Sequence, residues 1–127
     1  CGTVVLGDYG HACHIEKKSN GTVIDWHIKI PWAWSAPESL LERKFSQKSD
    51  IWMFGVTVYE ILCKGKWNMP HRKLGQSKYI SELKEGRNGF EISEDLDKEI
   101  KSLLKPCFKF STEERPTALK LRETIKR

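Results

Sequence analysis

Hydrophobic and polar positions along the chain predict one short strand, a long loop and then a series of helices. Residues 3–6 form a Thr- and Val-containing apolar run that stops at a glycine, a pattern typical of a strand. Residues 8–31 are mostly polar and show no periodicity, which predicts a loop. Loops of this length inside a domain usually carry function or move.

The longest apolar stretch, residues 49–63, predicts a helix at the centre of the core. It is apolar on nearly every side, as expected of a fully buried helix. Ser49 is the predicted N-cap, Asp50 is the acid of the first turn, and Gly65 lies beyond the C-terminus. Val and aromatic residues also suit a strand, but the stretch is longer than a typical strand, which favours a helix.

Two shorter helices are predicted on either side of this stretch. Pro37 suits the first turn of a short helix. Residues 77–85 have a helical pattern, and Gly86 directly after them is the predicted stop.

The C-terminal part of the chain predicts two further helices. Leu and Ile recur at helical spacing over residues 96–104, in a helix that should end before Pro106 because proline disfavours helical geometry in the preceding residue. A last helix is predicted after Pro116, with Leu121 and Ile125 on one face.

Composition indicates a globular unit the size of one domain or a large subdomain. The 127 residues are 39% apolar and 31% charged, which argues against disorder. The 22 Lys and Arg exceed the 17 Asp and Glu, giving a net charge of +5, but the positive charges are spread out rather than clustered as a nucleic-acid surface requires. No apolar run approaches the roughly 18 residues of a membrane span. We therefore expect neither nucleic acid as a partner nor a membrane segment within this chain.

Cysteine spacing favours a reducing compartment. Cys1, Cys13, Cys63 and Cys107 are far apart and form no CxxC pair, so reduced thiols of a cytoplasmic protein are expected. The segment His11-Ala12-Cys13-His14 raises the alternatives of a zinc site or of Cys/His catalysis. Both are disfavoured, because the ligands crowd one loop without a second pair and because nothing positions the thiol.

Short motifs follow one another in a recognisable order. Asp8-Tyr9-Gly10 comes directly after the predicted strand, where an Asp and a Gly taken alone indicate a turn. The later motifs are Ala36-Pro37-Glu38, Asp50-x-Trp52-x-Phe54-Gly55, and Cys107 with Arg115-Pro116. Together they resemble the C-terminal lobe of a protein kinase, from its D-F-G motif through A-P-E and D-x-W-x-F-G to the late Arg.

Two details make the resemblance one to tyrosine kinases. Pro31, Trp34 and the Ala-Pro-Glu after them are similar to P-x-x-W-x-A-P-E, and Cys107-Phe108 with Arg115-Pro116 is similar to C-W-x(6)-R-P. Residues 36–52 are loosely similar to the Janus-type tyrosine kinases. The resemblance implies a mainly α fold over residues 1–127: a kinase-like C-terminal lobe with a short β strand and a long activation segment, residues 8–38, at its N-terminus.

The resemblance also implies a metal site in the activation segment. Asp8 would bind Mg²⁺ that bridges the phosphates of ATP; the alternative is an Asp that only forms a turn. Tyr9 would stack its ring as Phe does in the family, and its hydroxyl needs a partner if buried. Gly10 would give the segment the flexibility to switch.

Structural roles are implied for a second set of residues. Glu38 and Arg115 are the expected buried ion pair between the end of the activation segment and the last helices. Asp50 would hold the backbone of the catalytic loop, with a simple helix N-terminal charge as the alternative. Trp52 and Gly55 are expected to build the core.

Acceptor binding and regulation are implied for the segment between these motifs. Pro31 and Trp34 would help form the surface that receives the acceptor residue, although Ala33 stands where tyrosine kinases commonly carry Lys or Arg. No tyrosine lies between Tyr9 and Glu38, so activation by tyrosine phosphorylation there is not expected. Ser19 and Thr22, which follow two lysines, are candidate regulatory sites.

The catalytic parts that precede D-F-G in the family are expected to be absent from this chain. These are the Gly-rich loop, the strand Lys with its helix Glu, and the catalytic Asp with its Asn. Two explanations compete. In the first, the chain is part of a complete tyrosine-specific kinase that uses ATP and Mg²⁺ and that is cytoplasmic, a receptor or membrane-associated. In the second, it is a truncated kinase-like protein or pseudokinase that binds the N-terminal lobe of another kinase.

Overall fold

The computed structural model describes residues 2–15, 20–63, 70–87 and 90–126. These residues form a mainly helical fold, which confirms the predicted class. The helices are α1 Pro37–Glu42, α2 Gln47–Leu62, α3 Pro70–Leu74, α4 Gln76–Lys84, α5 Lys98–Leu104 and α6 Ala118–Ile125. Two 3-10 helices, Tyr9–His11 and Lys105–Phe108, and two strands, β1 Thr22–Ile24 and β2 Lys44–Ser46, complete the elements of the described residues.

A two-stranded antiparallel sheet joins the long N-terminal loop to the start of the helical region. Val23 of β1 lies opposite Phe45 of β2. Between α1 and β2, Arg43 has a left-handed backbone with φ 54°, which ends the helix and turns the chain directly into the strand. The Arg43 carbonyl oxygen accepts from the Asp25 N–H at 3.1 Å. The loop predicted over residues 8–31 therefore contains, within its described residues, the strand β1 and the 3-10 helix Tyr9–His11.

Helix α2 begins three residues earlier than the sequence predicted. Ser46, not Ser49, is the N-cap: its hydroxyl oxygen accepts from the Lys48 N–H at 3.1 Å and from the Ser49 N–H at 3.4 Å. The Ser49 hydroxyl oxygen accepts in return from the Ser46 N–H at 2.9 Å. This reciprocal capping box satisfies donors that the helix itself leaves unpaired, so it outweighs a cap at Ser49.

One face of α2 is buried, and the opposite face is exposed in the described part of the chain. Trp52 and Val56 are 1% and 0% exposed, whereas Phe54 and Ile61 are 40% and 69% exposed. The prediction of a helix buried on all sides is therefore wrong for these residues. The second 3-10 helix and β2 pack against α2, whereas no element of the described ranges covers the face that carries Phe54 and Ile61.

Aromatic rings dominate the core on the buried side of α2. Trp52 packs edge-to-face against Phe108, with ring centroids 5.4 Å apart. Tyr59 meets Phe90 in the same manner at 5.5 Å, and the Tyr59 hydroxyl accepts from the Ser93 N–H at 3.2 Å. Such edge-to-face pairs add to the burial of apolar area.

The strand predicted at residues 3–6 is not formed. Val4 and Leu6 are 98% and 86% exposed, and no strand is assigned to residues 2–7. A strand is held by hydrogen bonds to a neighbouring strand, and the described residues provide none here. Residues 3–6 therefore have the composition of a strand, but no neighbouring strand pairs with them in the described part of the chain.

The remaining helices lie close to their predicted positions. Pro37 is the first residue of α1, and Gly86, with φ 77°, follows the last turn of α4. The predicted stop of α2, Gly65, lies outside the described residues.

Helices α5 and α6 are both capped by side chains just before their first residues. Asp97 caps α5, accepting from the Glu99 N–H at 2.8 Å, so the predicted helix over residues 96–104 begins after Leu96. Residues 105–108 continue α5 as a 3-10 turn because Pro106 cannot continue an α-helix. In α6, Leu121 is buried as predicted, but Ile125 is 60% exposed because it lies in the last turn.

Gly55 allows α2 to approach the second 3-10 helix closely. A Cβ atom at this position would lie 2.9 Å from the Cys107 Cβ and 3.0 Å from the Phe108 Cζ. These distances are shorter than van der Waals contact, so only glycine fits without moving the backbone.

We predict that Gly55→Ala lowers the free energy of unfolding by about 1–3 kcal/mol, because overpacking forces the two helices apart. Urea unfolding followed by circular dichroism measures the change. Thr57→Ala, an exposed substitution in the same helix, is the control and should change stability by less than about 0.5 kcal/mol. Equal effects of the two substitutions would contradict the close-approach argument.

Candidate functional site

Arg115 and Glu38 form a bidentate ion pair at the centre of the described structure. Nη1 and Nη2 of Arg115 donate to the two carboxylate oxygens of Glu38 at 2.7 Å and 2.8 Å. The Arg115 side chain is fully buried, and that of Glu38 is 12% exposed. The expected contact is thus present, between the first turn of α1 and the segment before α6.

The remaining donors of Arg115 all reach backbone carbonyls. Nη1 also donates to Lys48 at 3.0 Å, Nη2 to Phe110 at 3.2 Å and Nε to Lys109 at 2.8 Å. All five N–H groups of the guanidinium therefore have acceptors. A buried charge is tolerated only when its hydrogen bonds are satisfied in this way.

The cation also lies over the core aromatic ring. The guanidinium carbon of Arg115 is 5.1 Å from the centroid of Trp52, a cation–π distance. The structure thus brings together Glu38, Arg115, Trp52 and Gly55, four of the sequence-predicted residues, along the buried face of α2.

Residues 31–36 form a tight turn directly before α1, which we call the acceptor loop. The Pro31 carbonyl oxygen accepts from the Trp34 N–H at 3.0 Å and from the Ser35 hydroxyl at 2.9 Å. The indole Nε1 of Trp34 donates to Glu60 of α2 at 3.1 Å. Arg72 of α3 lies over the Trp34 ring at 5.4 Å. The loop is therefore tied to both α2 and α3.

One buried contact of this loop involves His71, a residue that no sequence motif marks. His71 of α3 is 1% exposed, and its Nε2 lies 2.6 Å from the Ala33 carbonyl oxygen. Its ring also packs against Trp32, with centroids 6.0 Å apart. A single His in a short polar segment carries no pattern that distinguishes a buried contact from a surface residue, so the sequence offered no signal for it.

Asp8 lies apart from the Glu38–Arg115 pair, on an exposed stretch. It has a left-handed backbone, with φ 61° and ψ 66°, a conformation that Asp adopts more readily than most residues. Strained backbone of this kind is often found at functional sites. The exposed ring of Tyr9 places its hydroxyl as a donor to the Leu6 carbonyl oxygen at 2.8 Å. A Cβ at Gly10 would meet only Asp8 Oδ1, at 3.7 Å, so glycine is not sterically required there.

Asp8 fits the donor chemistry of one type of metal ion. The described residues contain no group of three or more His, Cys, Asp or Glu that could hold a metal. Asp8 is therefore a lone carboxylate. The exposed segment of residues 11–14 also belongs to no such group. Mg²⁺ commonly takes one or two protein carboxylates together with phosphate oxygens and water. A single exposed carboxylate is compatible with that arrangement.

Asp50 lies in the first turn of α2, with its residue surface largely exposed. Desolvation by its surroundings nevertheless raises the pKa of its carboxyl. Thr22 lies at the start of β1, half-buried and opposite Ser46. Ser19, the other candidate regulatory residue, lies outside the described residues.

The fold and the four motifs in register are those of the protein kinase family. A family model described as protein tyrosine and serine/threonine kinase matches residues 2–125, and the chain belongs to that family. No helix in the described ranges is both long and apolar enough to cross a bilayer.

Individual relatives include a protein named as a kinase, one named as a receptor and one named as an inactive tyrosine-protein kinase. The chain is 31% identical over 135 residues to the activated Cdc42 kinase Ack of Drosophila melanogaster, covering 96% of this chain and 11% of that protein. It is 32% identical over 123 residues to the insulin-like receptor of Caenorhabditis elegans, covering 94% and 6%. It is 34% identical over 88 residues to the inactive tyrosine-protein kinase 7 of Gallus gallus, covering 69% and 8%. The chain thus spans only a small part of the length of each relative.

We predict that Glu38→Gln lowers the free energy of unfolding by about 3–5 kcal/mol, because it leaves the Arg115 charge buried without a counter-charge. Chemical unfolding of the two proteins measures the difference. Glu94→Gln, which removes an exposed pair with Lys101, is the control and should change stability little. A Glu38→Gln protein as stable as the parent would show that the pair is not structurally required.

Proposed function

We propose that this chain is the C-terminal-lobe part of a protein-tyrosine kinase whose complete domain transfers the γ-phosphate of ATP to a protein substrate. The observation that carries this proposal is the anchoring of residues 31–38 at two points. Trp34 donates to Glu60 of α2 at 3.1 Å, and Glu38 pairs with buried Arg115. Residues 31–38 have the P-x-x-W-x-A-P-E pattern of tyrosine kinases, and a segment held in this way is suited to orienting an acceptor.

In this proposal the acceptor loop positions the substrate. Pro31 and Trp34 shape the loop from within: the Pro31 carbonyl closes the turn, and the Trp34 indole holds it against α2. Holding an acceptor hydroxyl in line with the phosphate accounts for much of the rate enhancement in phosphoryl transfer. The proposed specificity for tyrosine rests on the P-x-x-W-x-A-P-E motif and is supported by a relative named as an inactive tyrosine-protein kinase.

Asp8 is the proposed ligand of the metal that accompanies ATP. Bound Mg²⁺ offsets the negative charge of the transferring phosphates. The role of Asp8 is to supply one carboxylate oxygen, and its exposed position on the left-handed turn before the 3-10 helix leaves that carboxylate accessible. We propose that the Asp50 carboxylate accepts hydrogen bonds from backbone N–H groups of the catalytic loop. These bonds would stabilise the carboxylate form and oppose the desolvation that raises the pKa of this acid.

Regulation and location follow as further parts of the same proposal. Ser19 and Thr22 are proposed phosphorylation sites of activation segment 8–38, because a phosphate there would add about two negative charges beside lysines.

Activity requires an N-terminal lobe, in cis or in trans, and takes place in the cytoplasm, where ATP is available, whether or not the parent is a receptor. The looser likeness to Janus-type kinases stays a prediction.

A second candidate function is regulation by binding. One relative is named as an inactive tyrosine-protein kinase, and Ala33 replaces the basic residue that tyrosine kinases commonly carry before the Trp. In this alternative the chain acts as a pseudokinase that binds another kinase through its N-terminal lobe. Purified chain should then retain a separately expressed kinase N-terminal lobe on an affinity column, which the catalytic proposal in cis does not require.

We predict that Asp8→Asn, made in the complete protein that contains this chain, reduces transfer of phosphate to a tyrosine peptide by at least about 100-fold. The carboxamide is neutral and is a poorer Mg²⁺ ligand. Transfer of radiolabelled phosphate from ATP is the measurement, and Asp95→Asn, on an exposed turn, is the matched control. Undiminished transfer by the Asp8→Asn protein would exclude Asp8 as a metal ligand.

We also predict that this 127-residue chain by itself transfers no phosphate to a tyrosine peptide and hydrolyses no ATP above background. Asp8 is its proposed metal ligand, but the motif residues that cover the phosphates and accept the hydroxyl proton are not among the motifs in this sequence. The same radiolabelled assay applies. Labelled peptide produced by the purified chain would refute this prediction.

A further inference from the structure

The side chain of His71 is almost completely enclosed by the acceptor loop, α4 and Phe90. It lies on α3 and is 1% exposed. Its ring contacts Trp32 of the acceptor loop at 6.0 Å, Tyr79 of α4 at 4.9 Å and Phe90 at 5.1 Å, measured between ring centroids. Only one polar atom in these contacts faces an imidazole nitrogen: the Ala33 carbonyl oxygen, 2.6 Å from Nε2.

The contact with Ala33 determines that Nε2 of the ring carries a proton. A carbonyl oxygen only accepts hydrogen bonds, so Nε2 must carry the proton and donate it. Nδ1 is buried and has no hydrogen-bond partner among the described residues. The ring is therefore the neutral Nε2–H tautomer, because a second proton on Nδ1 would have no acceptor there.

The surroundings oppose a positive charge on His71. Trp32 and Phe90 do not titrate, the Tyr79 phenol is neutral with a pKa raised by burial, and the neighbouring charged group is the Arg72 cation. Burial first, and then Arg72, lower the pKa of His71, while the bond to Ala33 raises it. The net direction is downward, so the ring is neutral at physiological pH.

We propose that His71 is a positioning residue for the acceptor loop, holding the backbone of residues 31–36 in place through its Nε2–H bond to the Ala33 carbonyl. The proposal rests on the proposed function, because it assigns to His71 the geometry of the surface that receives the substrate. The bond lies at the midpoint of the loop, between the Pro31 turn and the Trp34–Glu60 bond. Without it, the loop keeps its two ends but loses its central contact to α3.

Burial of the ring makes the stability of the fold sensitive to acid. Because the pKa of His71 is lower in the folded protein than in the unfolded chain, the unfolded chain binds more protons. The contribution of a neutral His71 is fully present above about pH 6.5 and is lost as the pH falls from there toward the lowered pKa. The free energy of unfolding should therefore decrease in mild acid, while the protonated ring keeps its Nε2–H donor to the Ala33 carbonyl.

Three substitutions separate the donor from the ring. In His71→Gln the amide nitrogen lies at the position of Nε2 and can donate to Ala33, but it does not titrate. In His71→Asn the amide reaches only the position of Nδ1, and His71→Phe fills the aromatic enclosure without any donor. Each is made in the complete protein that contains this chain, and circular dichroism verifies folding.

The first measurement is steady-state phosphorylation of a tyrosine peptide. We expect the KM for the peptide to rise about tenfold in His71→Asn and His71→Phe, as expected for loss of one buried hydrogen bond, with the KM for ATP unchanged. His71→Gln should keep the peptide KM within about threefold of the wild type. A general structural role would instead lower kcat and raise both KM values together. Unchanged peptide KM in all three variants, in an active enzyme, would overturn the proposal while leaving the proposed function intact.

The second measurement does not depend on activity. In protein labelled with ¹⁵N at His and Trp, the His71 nitrogen shifts should report the Nε2–H tautomer at pH 7.5. The Trp34 indole signal, which reports the loop through its bond to Glu60, should move in His71→Asn and His71→Phe but not in His71→Gln. A His71 tautomer with the proton on Nδ1, or a Trp34 signal that is the same in every variant, would refute the positioning role. If the wild-type protein transfers no phosphate, the proposed catalytic function fails and this measurement alone decides on His71.

Discussion

A buried guanidinium with all of its donors occupied places strict limits on the rest of this structure. Arg115 donates to both oxygens of Glu38 and to the carbonyls of Lys48, Lys109 and Phe110. The acceptors come from the starts of two helices and from the segment before α6. Since a buried cation with a missing acceptor is strongly destabilising, these parts can occupy only one relative position. Lys48 strengthens the same junction by donating from its ammonium group to the Arg115 carbonyl.

The Glu38–Arg115 ion pair also helps to position the acceptor loop. The loop runs directly into α1, whose first turn carries Glu38, so the ion pair holds one end. The Trp34–Glu60 bond holds the loop against α2, and the His71–Ala33 contact holds its middle against α3. Three contacts from three different helices thus act on six residues. The loop is for this reason the best-positioned candidate surface for chemistry in the described structure, whereas Asp8 lies on an exposed stretch with few contacts.

The two sides of helix α2 differ in how completely they are buried. Its buried side packs Trp52 against Phe108, and Gly55 lets the second 3-10 helix approach to contact distance. Its other side presents Phe54 and Ile61 to solvent in the described part of the chain. The exposure of these apolar side chains and the lack of a paired strand at residues 3–6 have the same cause. Both patterns are suited to burial, and burial depends on neighbours that local sequence does not specify.

The sequence by itself determined the series of helices and the order of the motifs, because these depend on residue type and spacing, and the resemblance of those motifs to the kinase family identified the Glu38–Arg115 pair. It also predicted the start of α1 at Pro37 and the end of α4 near Gly86, since local backbone preferences decide both. Only the tertiary structure decided that Ser46 rather than Ser49 caps α2, that one face of α2 is exposed, and that His71 is buried against Ala33. These features arise from contacts between residues far apart in the chain, such as the 38 positions that separate Ala33 from His71. Local patterns carry no record of such distances, which is why packing had to decide them.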